Sequence, residues 1–433
     1  MKQTLLVIPH EWLGWPLQVA WWLLLLALAI WTAQREGWVR GAWGKAVGQL
    51  VPLGLGVSLL LYLVVPFLEV VGINPVDPLG PPIPLGLAIR GYGVCLTLAI
   101  VAAVGLVLQR AIQLQLNVDR LLSLCFWMVV IGIVGARIFY VVQKWDQFQF
   151  VDLRQFLVTL TDMTKGGLVV YGSLFGAAAV LAFSERIWKL PARLVLDVVA
   201  PAMLLGLAIG RVGCLLNGCC YGGECQPEYP LAIHFPVGSP AYFDQLQQGR
   251  LLGLRGEWEP DAEFPLRVTE VEPGGLAAGL GLPIEVGQRL RVLSPGSDYL
   301  VASKSGEIDL PLRVSIEREG IPGTLEVPFA SLPERTLAMH PAQIYATISA
   351  LLVAAVLWFA FPWRRFDGQL FVWMLVLYPL CRLLEEVIRS DELGIWGTPL
   401  TISQWISVGL LVAGLGLWWV LQRRPVLTWR VAT

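Results

Sequence analysis

Gly206-Leu-Ala-Ile-Gly210-Arg211-Val-Gly213-Cys214-Leu-Leu-Asn217-Gly218-Cys219-Cys220-Tyr-Gly222-Gly-Glu224-Cys225 is the stretch on which the reading of this chain turns. An apolar run from Val195 to Ile209 leads directly into Arg211. A cation at that depth of a membrane helix is costly unless it faces the bundle interior and meets an anion. Gly206, Gly210, Gly213, Gly218 and Gly222 let helices approach closely or let a loop turn back into the protein. Cys214, Cys219 and Cys220 follow in quick succession, and Cys225 closes the stretch. The plainer alternative is a snorkelling arginine on a glycine-capped helix end.

Working outward, the composition agrees with a membrane setting. The 433 residues are 56% hydrophobic and only 15% charged, which points to a polytopic membrane protein. A net charge of −1 leaves no electrostatic footprint for a nucleic acid. Trp12, Trp15, Trp21, Trp22, Trp31, Trp38 and Trp43 flank apolar runs, as interfacial indoles do. Apolar runs long enough to span fall near 17–33, 47–70, 85–109, 121–143, 166–185, 194–213, 341–361, 369–388 and 402–421. Lysine and arginine concentrate in alternate loops, which predicts an outside N-terminus and a cytoplasmic C-terminus. The first run lacks a basic flank and a small-x-small site, so it is expected to remain as a helix rather than be cleaved. The segment from Asn74 to Pro84 is too rich in proline for a helix and is read as extended and external.

Further motifs occur along the chain: Ala88-Ile89-Arg90-Gly91-Tyr92-Gly93, Gly135-Ala136-Arg137, and Gly166-Gly167-Leu168-Val169-Val170-Tyr171-Gly172. After an insertion come His340-Pro341-Ala342-Gln343-Ile344-Tyr345 and Tyr378, Arg382, Glu386, Arg389 and Asp391. Together with Gly210-Arg211-Val-Gly213, this ordered set resembles the prolipoprotein diacylglyceryl transferase family over about residues 73–225 and 338–422. The resemblance implies an all-α polytopic membrane core of seven helices, here with two extra N-terminal helices over 1–72. The core would be split into 73–225 and 338–433, in a bacterial plasma membrane.

The insertion, 226–337, is polar and alternates in strand fashion at Leu266–Val271, Arg289–Leu293, Leu312–Glu317 and Thr324–Pro328, with a short helix signal at Gly275–Leu280. Over about 248–330 it looks like a bacterial PDZ domain, small, β-rich and periplasmic. Leu251-Leu252-Gly253-Leu254 resembles the loop that would receive a peptide C-terminus. The plainer reading is a small β-domain that covers the core.

The family's reaction moves the diacylglyceryl group of phosphatidylglycerol to the thiol of a prolipoprotein lipobox cysteine and releases glycerol phosphate. It calls for a cationic phosphate clamp, a means of forming thiolate, and access from lipid. Arginine suits the clamp, because its fork binds phosphate oxygens bidentately and stays charged in low dielectric. By position in the motifs, Arg137, Arg211 and Arg382 are the candidate cations for the head group, Arg211 and Arg382 foremost, and Arg90 lines the substrate. Tyr378, Arg382 and Glu386 are spaced to share one helix face, with Glu386 holding Arg382. Tyr171, Tyr92 and Asn217 would complete the site, and His340 is a candidate for proton transfer. No metal or organic cofactor is expected.

This chain departs from the family in two places. Tyr171 stands where better-described members have histidine, and Cys219 stands where they have glutamate, so the base is unassigned. The cysteines have several readings: Cys214 or Cys219 bonded to Cys225, a zinc site with His234, a thiolate beside Arg211 that relays the diacylglyceryl group, or simple packing of a tight turn. Two other functions stay open: a transferase of the same superfamily with another acceptor, and a non-enzymatic membrane anchor for the PDZ-like domain.

Overall fold

The structure is a computed structural model that describes residues 4–9, 15–35, 70–72, 83–143, 170–259, 262–293, 311–318, 321–389, 398 and 400–423. These fall into two compact units, one drawn from 92–233 and 338–433, the other from 1–91 and 234–337.

The first unit is helical. It comprises α2 (Gly91–Gln113, from Tyr92 onward), α3 (Val118–Gln143), α4 (Val170–Ala182), α5 (Ala192–Asn217), α7 (Ala342–Ala360), α8 (Gln369–Glu386) and α9 (Ile402–Leu421). Among the described residues, five helices are long and apolar enough to cross a membrane: Gly91–Gln113, Val118–Gln143, Ala192–Asn217, Ala342–Trp363 and Ile402–Leu421. Helix α8 is shorter in apolar length because Arg382, Glu385 and Glu386 occupy its last turns. Most of the expected spans are thus helical, while the one over 47–70 lies outside the described residues.

Helix α5 is the central element. It starts after Pro191, which cannot donate to a preceding turn, and stops at Gly218, whose left-handed φ of 74° lets its N–H reach the carbonyls of Cys214 and Leu215. Its Leu194, Val195 and Val198 are fully buried with Leu357 of α7 and Leu370 of α8. The one acid on that face, Asp197, is also fully buried. Its carboxylate accepts the N–H groups of Gly368, at 2.8 Å, and of Leu370 and Phe371, at 2.8 and 3.2 Å. These are the donors that a helix N-terminus leaves unpaired, so α5 supplies the cap for α8. Arg364 stands 3.8 Å from the same carboxylate.

Helices α3 and α4 cross on glycine. A Cβ on Gly135 would run into the Gly172 carbonyl, and one on Gly176 into the Ile131 carbonyl. Only bare backbone permits that approach, as at small-residue crossings in membranes.

The second unit carries a strand where a helix was expected to begin. Residues 83–90, read as extended and then helical from about 85, form strand β3 (Ile83–Arg90) between β1 (Thr4–Pro9) and β2 (Val70–Gly72). Helix α1 (Trp15–Arg35) follows β1. Pro84 is compatible with a strand but not with a helix interior, and antiparallel pairing from Thr4↔Arg90 to Pro9↔Gly86 satisfies the backbone.

The same unit holds a five-stranded antiparallel meander, β4 (Leu254–Trp258), β5 (Leu266–Val271), β6 (Arg289–Leu293), β7 (Leu312–Arg318) and β8 (Ile321–Val327). Alternation places Leu266, Val268, Leu290, Val314 and Ile316 inside. Helix α6 (Pro240–Gln247) closes that core with Tyr242 and Leu246. Ser239 caps α6 by accepting the Tyr242 N–H, and the Tyr242 hydroxyl donates to the Pro333 carbonyl at 2.8 Å. Burial pushes the Tyr242 phenol above its ordinary pKa, so the hydroxyl stays protonated and remains a donor.

Candidate active site

The chain beyond α5 folds straight back onto the helical unit. Cys220 has a φ of 57°, left-handed and uncommon for a residue with a side chain. Five backbone or amide bonds then fix the loop. Gln343 Nε2 donates to the Cys219 carbonyl at 2.8 Å. The Gly222 N–H donates to the His340 carbonyl and the His340 N–H to the Gly223 carbonyl, both at 2.9 Å. The Gly223 N–H reaches the Ile388 carbonyl, and the Cys225 N–H that of Ala338. Glycine is required at 222, where a Cβ would lie 2.6 Å from the His340 Cβ. The loop is therefore held between the lead-in to α7 and the end of α8.

Arg211 lies about two turns before this loop, partly buried in the helical unit. Its Nε is buried and has no hydrogen-bond partner among the described residues. Tyr378, Cys214, Cys220 and Arg389 all stand within electrostatic reach of it, as does Tyr92. The start of α2 is brought there by Gly213, where an added Cβ would lie 3.2 Å from the Tyr92 ring and 3.0 Å from the Cys95 Cβ. Tyr92 itself is 41% exposed.

Arg382 is different. Its Nη2 pairs with Glu386 at 2.7 Å and donates to Ser403 at 3.2 Å, with Glu385 at 3.9 Å from Nη1. Glu386 also accepts from Thr401 at 2.8 Å and lies 4.0 Å from Arg389. Thr401 is at the same time the N-cap of α9, in a capping box with Gln404. The Arg382 and Glu386 spacing is thus realised as an ion pair within α8, tied to α9 by hydrogen bonds with Ser403 and Thr401.

The remaining candidates are placed as follows. Arg137 is buried on α3 with its guanidinium 5.2 Å from the Tyr140 ring. Tyr171 is in the first turn of α4, at the glycine crossing. Asn217 is the last residue of α5. His340 has its Nδ1 buried without a hydrogen bond, and its ring packs edge-on against Tyr229 at 4.9 Å. The Tyr229 and Tyr345 hydroxyls bond each other at 2.9 Å. Arg90 is the exposed last residue of β3, in the other unit, and Asp391 lies outside the described residues.

The cysteines depart from most of their expected uses. All seven are free thiols, so the bond from Cys225 to Cys214 or Cys219 is not formed. His234 belongs to the other unit, where its Nδ1 bonds the Thr336 carbonyl at 2.9 Å, and it is not part of a cysteine site. Instead the sulfurs of Cys214, Cys219 and Cys220 all lie within 4.8 Å of one another. Gln343 and Asp197 are the functional or locking residues that the sequence did not single out. Gln343 sits inside the quoted His340–Tyr345 motif, and Asp197 was visible only as a lone acid in an apolar run.

A multi-pass membrane protein whose helical core carries buried arginines and a glycine-rich loop folded back onto its helices is the class defined by these features. The family model described as prolipoprotein diacylglyceryl transferase matches residues 82–420, and the chain belongs to that family. A phosphatidylglycerol–prolipoprotein diacylglyceryl transferase of Rhodopirellula baltica is 33% identical over 96% of this chain and 88% of its own length. A protein of the same name from Deinococcus radiodurans is 23% identical, covering 80% of each chain. One from Listeria monocytogenes serotype 4b is 31% identical over 38% of this chain and 57% of its own.

Proposed function

We propose that this membrane transferase moves the diacylglyceryl group of phosphatidylglycerol to the cysteine thiol of a prolipoprotein lipobox, releasing glycerol phosphate. The observation that carries the reading is the unsatisfied guanidinium nitrogen of Arg211, on α5 just before the loop at Cys219–Gly223. An arginine held in low dielectric with a free donor is a ready receptor for a phosphate oxygen.

In the reaction the acceptor sulfur attacks the glycerol carbon that bears the phosphate. The S–C bond forms as the C–O bond breaks, and the electron pair leaves on the phosphate oxygen. Arg211 stabilises the charge that grows on that phosphate, and its fixed position means no reorganisation is needed as the charge develops. Tyr378 and Tyr92, within electrostatic reach of Arg211, are assigned to orienting the head group. Arg382 acts through Glu386 and Ser403 as a positioning residue, keeping α8 and α9 in register beneath the site. Arg137, Tyr171, Asn217 and Arg90 are assigned to the substrate path on the strength of the motifs. His340 is assigned to proton transfer, which its unpaired Nδ1 supports.

The loop bias of lysine and arginine supports a periplasmic N-terminus and β-domain and a cytoplasmic C-terminus. The β-domain is read as PDZ-like. Strand β4 lies at the sheet edge and follows the turn at Arg250–Leu252, which suits addition of a peptide strand. The N–H groups of Leu252, Gly253 and Leu254 are already bonded to the Gly249 and Arg250 carbonyls. A peptide carboxylate at 251–254 would have to displace those bonds, so the edge of β4 is the better-supported contact.

The test is a transfer assay with purified protein, labelled phosphatidylglycerol and a lipobox peptide. Label on the peptide cysteine with glycerol phosphate released is the expected result. Turnover of the lipid without peptide labelling moves the assignment to another acceptor. No turnover by folded protein leaves the membrane-anchor reading.

A further inference from the structure

We propose that Cys214, Cys219 and Cys220 form a three-thiolate Zn²⁺ site whose open fourth position takes the acceptor thiol. This rests on the transfer reading above and supplies the thiolate that the reading requires.

The geometry comes first. A tetrahedral zinc site with Zn–S near 2.3 Å sets its sulfurs about 3.8 Å apart. The three Sγ atoms here already lie within 4.8 Å of one another, so rotation of the side chains closes the remaining gap. They reach that arrangement from a helix end and a loop, through the left-handed turns at Gly218 and Cys220. The loop cannot drift, because Gln343, His340, Ile388 and Ala338 bond its backbone on both sides of Cys220 and Gly222. A non-glycine residue in a left-handed conformation persists only where its surroundings enforce it, and such positions concentrate at functional sites.

The ligand count points the same way. Among the described residues, no fourth histidine, cysteine or acid joins the group. Structural zinc sites are closed by four protein ligands, whereas sites with three keep a position for substrate or water. All three cysteines are partly buried, and Arg211 and Arg389 stand within electrostatic reach of Cys220. Their two positive charges offset the excess negative charge that three thiolates bring to one dication.

The chemistry fits the proposed acceptor. A thiol that coordinates zinc gives up its proton outright. The lipobox S–H would give up its proton on binding, with His340 as the acceptor assigned above, and present a thiolate beside Arg211. That sulfur then forms the S–C bond, while the C–O bond breaks and its electron pair leaves with the phosphate. Two carboxylates of α8 are otherwise engaged: Glu385 accepts from Ser349, and Glu386 is paired with Arg382. A soft metal at the cysteines therefore answers a need that those acids do not meet.

The experiment uses reduced, detergent-solubilised full-length protein titrated anaerobically with Co²⁺ in place of Zn²⁺, with the transfer assay run in parallel. The expected result is a stoichiometric thiolate-to-cobalt charge-transfer band. It is unchanged in Cys225→Ser and weakened roughly tenfold or more in affinity in Cys214→Ser, Cys219→Ser and Cys220→Ser. A lipobox peptide is expected to shift the visible cobalt bands, and its serine counterpart to leave them alone. Wild-type protein that transfers diacylglycerol yet shows no such band would overturn the metal site and leave the function standing. A band that persists in the triple serine variant would also overturn it. A band with no peptide response overturns the acceptor role, and a band in protein without transfer activity removes the proposed reaction instead.

Discussion

Two polar side chains of α5, Asp197 and Arg211, are treated in opposite ways. Asp197, near its start, is saturated: three backbone N–H groups and Arg364 surround its carboxylate. Arg211, fourteen residues and about 21 Å further along the same helix, retains a buried Nε with no hydrogen bond. Each charge is expensive to bury. Where the fold has met that cost with its own donors, the residue holds elements together. At Arg211, beside the cysteine loop, we assign the open donor to a ligand. Arg382 belongs with Asp197 on this criterion, since Glu386 and Ser403 satisfy it from within.

Substitutions can break this contrast. Arg211→Ala is expected to lower transfer on the order of 10³-fold, the scale for losing a preorganised donor to developing charge. Its thermal unfolding should stay close to wild type. Asp197→Ala should do the reverse, costing about 3 kcal/mol by stranding the α8 amides and Arg364. Transfer per folded molecule, measured after size exclusion, should survive that change. Glu386→Gln lies between, because it loosens Arg382 and Arg389 without touching the head group. A roughly tenfold loss of transfer, with a lowered melting temperature, is expected there. The smallest effect belongs to the β-domain: Tyr242→Phe removes the bond to Pro333 and should cost about 1 kcal/mol, with transfer unchanged. If Asp197→Ala abolished transfer in folded protein, the division into locking and binding charges would fail.

Much of this arrangement is legible in the sequence, for reasons that can be named. The helices follow from apolar length, and β5, β6, β7 and β8 fall where two-residue alternation puts them. Arg211 is conspicuous because a cation is rare after an uncharged, mostly apolar run such as 198–210. Strand β3 was misread because Leu85, Leu87, Ala88 and Ile89 look like the start of the following helix. What decides it is pairing with Thr4–Pro9 and Val70–Gly72, contacts made across long sequence separations. Strand β4 begins at Leu254, the last residue of the stretch read as a binding loop, and Leu252 and Leu254 prove to be fully buried core. The role of Asp197 depends on Gly368 arriving from 171 residues away, which no local pattern announces. The cysteine trio depends on the handedness of Cys220, a torsion that composition does not encode.

The central claim is that Arg211 is the open cationic site of a diacylglyceryl transferase. The most direct measurement is release of glycerol phosphate from labelled phosphatidylglycerol, in the presence of a lipobox peptide, by wild-type and Arg211→Ala protein matched for thermal unfolding. Rapid release with peptide labelling by the wild type, and almost none by the variant, is what this account predicts. Equal release by the two proteins would contradict it.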